Sequence, residues 1–233
     1  MSKGPWPAAV ISVVLVMLGL MAAGCGGGPD RLGPVVVGTP KPAGTRLPIM
    51  AGAEQIIPPS SWPSVCTLLT DGELTSLLPQ ATELSHDRAR HAREGACEYR
   101  FWLKGAVPFG AKSAIDTIID AVGGPTLIAR RYAQIMAEDR KIPQLQRLQD
   151  LGAALGPAGC FTYVAWIDAS PAPADAGSNL VCHQGVLLYE VSVVGGANFA
   201  GARTDPWGYG DSWQSNVVWP VAALVAAKAP GAT

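Results

Sequence analysis

Charge is scarce in this chain, and neither sign prevails. Only 15% of the 233 residues are Asp, Glu, Lys or Arg, and they cancel to a formal net charge of −1. No global field therefore favours nucleic acid or an anionic membrane surface as a partner. Histidine is rarer still, with three residues. No Cys-x-x-Cys pair occurs, and no histidine stands at ligand spacing from two cysteines, which argues against zinc. No Gly-x-Ser-x-Gly elbow is present, and no internal repeat stands out. These absences leave no catalytic set, metal or cofactor to expect.

Glycine and proline are plentiful, at 27 and 20 residues. Together with the length, they suit one domain with extensions. Lys3 is the only charge before an apolar stretch from Ala8 to Ala23. A bilayer-spanning helix needs about 20 apolar residues. This stretch is shorter, and Gly19 interrupts it, so residues 1–24 read as an export signal peptide. The leader ends in Ala22-Ala23-Gly24 and then Cys25, and the run Leu20-Met-Ala-Ala-Gly-Cys25 resembles a bacterial lipobox. One position departs from it: Ala22 stands at −3, where leucine is usual. The expectation is that Cys25 takes a lipid and holds the protein on the extracytoplasmic face of the cell membrane. More than one acyl chain makes such an anchor stable. Ordinary cleavage after Gly24 and an uncleaved anchor are the competing readings.

Residues 25–62 hold the lipidated cysteine and a Gly/Pro-rich linker, with Gly26-Gly-Gly-Pro29 and Pro34, Pro40, Pro42, Pro48, Pro58 and Pro59. Proline removes backbone donors and glycine stiffness, so this segment is expected to be a spacer without regular structure. One α+β domain is expected over 63–228, followed by a short tail, 229–233.

Within it, Cys66, Cys97, Cys160 and Cys182 make an even number in an exported chain, which argues for two disulfide bonds. Three connectivities exist; the sequential one, Cys66–Cys97 and Cys160–Cys182, is favoured. Thr70-Asp-Gly-Glu73 has the form of a capping box ahead of Leu74, Leu77 and Leu78, with Pro79 as the stop. Strands are expected near 83–90, 96–103, 113–122, 160–168, 179–184 and 186–194. A helix is expected over 126–141 from the spacing of Ile128, Tyr132, Ile135 and Met136. In the last strand Leu187, Tyr189, Val191 and Val193 oppose Glu190 and Ser192, the pattern of a sheet with one covered face. A final helix near 212–228 contains Pro220, which kinks it or marks its first turn. Strands and helices do not alternate strictly, so the expected architecture is an antiparallel sheet of five or six strands with helices on one face.

Cys66-Thr-Leu-Leu-Thr-Asp-Gly-Glu73 resembles the Cys-x-Leu-Leu-Thr-x-x-Glu opening of a family of actinobacterial lipoproteins of unknown function. Cys97-Glu-Tyr-Arg-Phe-Trp102 is similar to the family's cysteine before an aromatic strand. Leu151-Gly-Ala-Ala-Leu-Gly156 is similar to its Gly-rich turn. The resemblance covers about 60–228. It implies a lipoprotein with Cys66 paired to Cys97, and it implies no enzymatic activity.

Three stretches are candidates for chemistry. The polar run from His86 and Asp87 to His91 and Glu94 reads best as a solvated hairpin, because strand alternation scatters its ligands. His183 with Asp168 or Asp175 suggests a hydrolytic pair only weakly, and a solvent-facing strand histidine is expected. The aromatics Trp207, Tyr209 and Trp213 on a Gly-rich loop could contact a ligand such as a sugar ring or an aromatic group, or fold back to cap the sheet. The leading expectation is a non-catalytic binding or scaffolding domain whose partner is an envelope glycan, a peptide or a membrane protein. The alternatives are an envelope enzyme acting on glycans or peptides, and an extracellular sensor or accessory subunit of a membrane complex.

Overall fold

The computed structural model describes residues 35–43, 46–47, 51–52, 55–88, 95–103, 112–142, 145–153, 159–166, 176–195 and 213–229. The leader, Cys25 and residues 230–233 lie outside them. Seven strands form one antiparallel sheet: β1 Ala81–Arg88, β2 Ala96–Leu103, β3 Ser113–Val122, β4 Leu145–Gly152, β5 Gly159–Trp166, β6 Ala176–Gln184 and β7 Leu187–Val194. Their order across the sheet is β1-β2-β3-β7-β6-β5-β4. Two meanders thus meet where β3 pairs with β7. Helix α1 is Asp71–Leu77, α2 is Pro125–Asp139, and α3 is Trp219–Lys228. Both favoured disulfides are formed, Cys66–Cys97 and Cys160–Cys182.

The fold is the α+β class expected, with one strand more than the sequence suggested. The extra strand is β4. Its leucines, Leu145, Leu148 and Leu151, recur every three residues, which hides a strand period of two. Its pairing with β5 shifts register between Gln146 and Gln149 and again between Asp150 and Gly152. Bulges of this kind let three-residue spacing persist in a strand.

Helices cover both faces of the sheet rather than one. Cys97, Tyr99, Phe101, Ile115, Ile119, Leu180, Cys182, Tyr189, Val191 and Val193 form the first face. They pack against the turn 65–67, α1 and the C-terminal helix. Tyr99 donates its hydroxyl to the carbonyls of Leu69 and Cys66. Tyr189 donates to the carbonyl of Ala222. Each buried tyrosine therefore fixes one covering element to the sheet. Pro220 sits in the first turn of α3, directly after a π-helical segment Gln214–Val218.

On the second face Phe161, Val181 and Leu188 pack against Ile128 and Tyr132 of α2. Connectivity explains why α2 lies there. The chain must travel from β3, mid-sheet, to β4 at the far edge. That is four strand spacings, about 19 Å. A helix of 15 residues is about 22 Å long. It covers the β4–β7 meander, and no helix among the described residues covers the second face of β1–β3.

The described part of the spacer belongs to the domain, so the boundary expected at 63 moves back to Val35. Val35 and Leu47 are buried, and Val37, Ile57 and Trp62 pack against the core. Gly38 donates to the carbonyl of Leu77, Leu47 to that of Lys228, and Ile57 to that of Val122. A side chain at Gly38 would meet the carbonyl oxygen of Ser76 at 2.0 Å, so glycine alone allows this close approach. Proline forbids regular structure in the strap but not docking of its apolar side chains. Ala229, assigned to the tail, is also fully buried.

Glu73 holds these pieces together. It completes the capping box with Thr70, as expected. Its Oε1 also accepts from the backbone N–H of Ala43 at 2.7 Å, and its Oε2 accepts from Lys228 Nζ at 2.6 Å. Lys228 Nζ donates further to the carbonyl of Leu68 at 3.1 Å. The two charged side chains are 1% and 3% exposed. Burial alone would raise the Glu73 carboxyl, but the bonds from Lys228, Ala43 and Thr70 outweigh it and hold it below the usual value. Removing one partner of a buried pair strands the other charge, at a cost of about 3–5 kcal/mol. Lys228→Met is therefore expected to lose about that much stability in urea unfolding. Adding Glu73→Gln, which removes the second charge and keeps a capping-box side chain, should recover a large part of it.

Candidate ligand cleft

A cleft of about 450 Å³ lies between α2 and the second face of the sheet. Its floor is Val181 and Tyr163, Ile119 of β3 borders it, and Ile135 closes it from the helix. Asp120 of β3 and Glu190 of β7 enter from the sheet. Glu138, Asp139 and Arg131 enter from α2. Four carboxylates and one guanidinium give the lining a formal charge of −3.

Tyr163 organises the middle. Its hydroxyl donates to Glu190 Oε1 at 2.9 Å. Burial, with the negative charges of Glu190, Asp139 and Asp120, raises the phenol so far that it keeps its proton. Glu190 therefore has a permanent donor.

Trp62 forms one wall. Its indole N–H donates to the carbonyl of Ile57 at 2.8 Å. Gly95, at φ +114°, lies against the six-membered ring. A Cβ there would stand 2.9 Å from Trp62 Cζ3 and 3.0 Å from the Ile119 carbonyl oxygen. The ring is thus fixed by a hydrogen bond at one edge and by a required glycine on one side.

Beyond the cleft, no helix among the described residues lies on the second face of β3 and β2. Register places Tyr163, Asn179, Ser192, Asp116, Glu98 and Asp87 in one row across five further strands. Glu98 pairs with Arg100 at 2.8 Å, and Trp102 is 41% exposed beside them. Asp116 Oδ2 is 3.4 Å from Ser192 Oγ, while Oδ1 has no hydrogen-bond partner.

The residues singled out in the sequence lie elsewhere. Trp213 is 2% exposed and packs in the core of the first face. The ligand-contact reading is therefore corrected for that residue: its ring caps the sheet. Trp207 and Tyr209 lie outside the described residues, as do His91, Asp168 and Asp175. His86 contacts Asp71 of α1 at 3.0 Å and lies 5.5 Å from the ring of Tyr99, on the first face at the β1 edge. His183 does not face solvent as expected. It lies half-buried 4.5 Å from the ring of Tyr132, and burial lowers its pKa. The cause is again α2, whose presence on this face periodicity did not reveal. Among the described residues no group of three His, Cys, Asp or Glu side chains is placed to hold a metal ion, and no helix is long and apolar enough to cross a membrane. The two disulfides fit a domain that folds in an oxidising compartment.

Burial, then the neighbouring charge of Glu98, pushes the Asp116 carboxyl up to about 6. Between roughly pH 4 and pH 6 the folded chain keeps a proton that the unfolded chain has lost. This group thus lowers stability progressively as pH rises through that window. Asp116→Asn should stabilise the protein relative to the native chain more at pH 7.5 than at pH 4. Equal differences in urea midpoint at the two pH values would contradict this. No family model matches the chain, and comparison with curated proteins and with solved structures finds no match.

Proposed function

We propose that this chain is an exported lipoprotein of an actinobacterial type of envelope, anchored through Cys25, whose domain binds a ligand without transforming it. The observation that carries the placement is the pair of closed disulfides behind a leader that ends in Ala22-Ala23-Gly24-Cys25. Such bonds persist outside the reducing cytosol. The family resemblance at 66–73 agrees with it.

The ligand site is the cleft under α2. A preformed concave site with apolar walls and a few polar groups is the usual form of a small-molecule site. The carboxylates of the cleft support a second reading, an envelope hydrolase in which Glu190 and Asp120 serve as acid and base. A glycan- or peptide-hydrolase activity abolished by Glu190→Gln would favour that reading.

Placement is tested by Cys25→Ala. The substituted protein should appear in the medium or accumulate as precursor, while the native protein partitions with membranes. Unchanged processing and membrane association would contradict the anchor.

A further inference from the structure

The cleft also points to the chemistry of its occupant. Its lining carries a formal charge of −3 within about 450 Å³. Gathering these charges in one concave cleft concentrates that field. A second, separate feature selects the same class of ligand. Trp62 lines the cleft with an indole held by its bond to Ile57 and by Gly95 against its six-membered ring. A cation over an indole is attracted by the ring quadrupole, and tryptophan is the best aromatic for this purpose. Ile135 and Val181 add apolar surface that a bare metal ion would not use.

We propose that the cleft takes an organic cation, an ammonium or guanidinium group on an apolar stem of the kind carried by lysine and arginine. This rests on the reading of the cleft as a ligand site. The charged head lies among Asp120, Asp139 and Glu190, and the stem lies along Trp62 and Ile135. Tyr163 keeps Glu190 oriented toward the head. No bond is made or broken.

The test is NMR titration of the full chain with four probes: N-acetyl-lysine methylamide, pentylamine, neutral N-acetyl-norleucine methylamide and anionic N-acetyl-glutamate methylamide. The two cationic probes should shift the Trp62 indole N–H and the Tyr163 ring, and added salt should weaken them. Tighter binding of the lysine probe assigns a peptide source, and tighter binding of pentylamine a free amine; either supports the proposal. Asp139→Asn, on the surface of α2, and Glu190→Gln, which keeps an acceptor for Tyr163, should each weaken the cationic probes about threefold to tenfold. Equal binding of the norleucine probe, or unchanged affinity in both variants, would overturn it. If the neutral or anionic probe alone shifts these signals, the cleft remains a ligand site and only the charge assignment falls. If no probe shifts them, the ligand-site reading falls with it.

Discussion

A lysine and a glutamate, both excluded from water, hold the covering layer of this protein on its sheet. Burying two charges is costly, and the cost is offset only when every lone pair and proton finds a partner. Here Glu73 satisfies the N-terminus of α1, the strap at Ala43 and the ammonium of Lys228, while Lys228 also reaches Leu68. Three segments distant in sequence, near 43, 68–73 and 228, therefore converge on one ion pair. Apolar packing drives these segments onto the sheet. The charged pair sets their register, because any other arrangement leaves a charge unpaired.

The second face is governed by a different constraint, the length of a connection. One crossover from β3 to β4 supplies the only helix described on that face, and the helix is long enough for one meander. A cleft arises at its border, where sheet residues that would face solvent in an open sheet meet the acidic end of α2. Glu190 illustrates the outcome. It stands on β7 between Ile118 and Val181 in the register, too enclosed for a free surface group, and takes the Tyr163 proton as its partner. The domain thus has a dry face packed under α1 and α3 and a more polar, concave second face.

Much of this was legible in the residues. The capping box at Thr70, the alternation of β3 and β7 and the proline at the start of α3 follow from local rules, and local rules act through neighbours in the chain. The strap was misread because proline content reports on hydrogen bonding and says nothing about whether Val35 or Leu47 finds a hydrophobic partner. β4 was missed because bulges break the period on which recognition depends. The cleft was invisible for a third reason. Trp62, Asp120, Arg131, Tyr163 and Glu190 sit on five separate elements, and only the crossover brings them together. The single local hint was Glu190, a charge inside the apolar run 187–194. The loop aromatics drew attention instead, and the one that is described, Trp213, serves the core.

The claim that the chain from Val35 onward is bound into the domain by the Glu73 clasp is tested most directly by amide hydrogen exchange on the full chain. Gly38, Ala43 and Leu47 donate to Leu77, Glu73 and Lys228, so their N–H groups should exchange far more slowly than those of an unstructured peptide at neutral pH. Exchange at unstructured-peptide rates at these three positions would show a free spacer and would contradict the account.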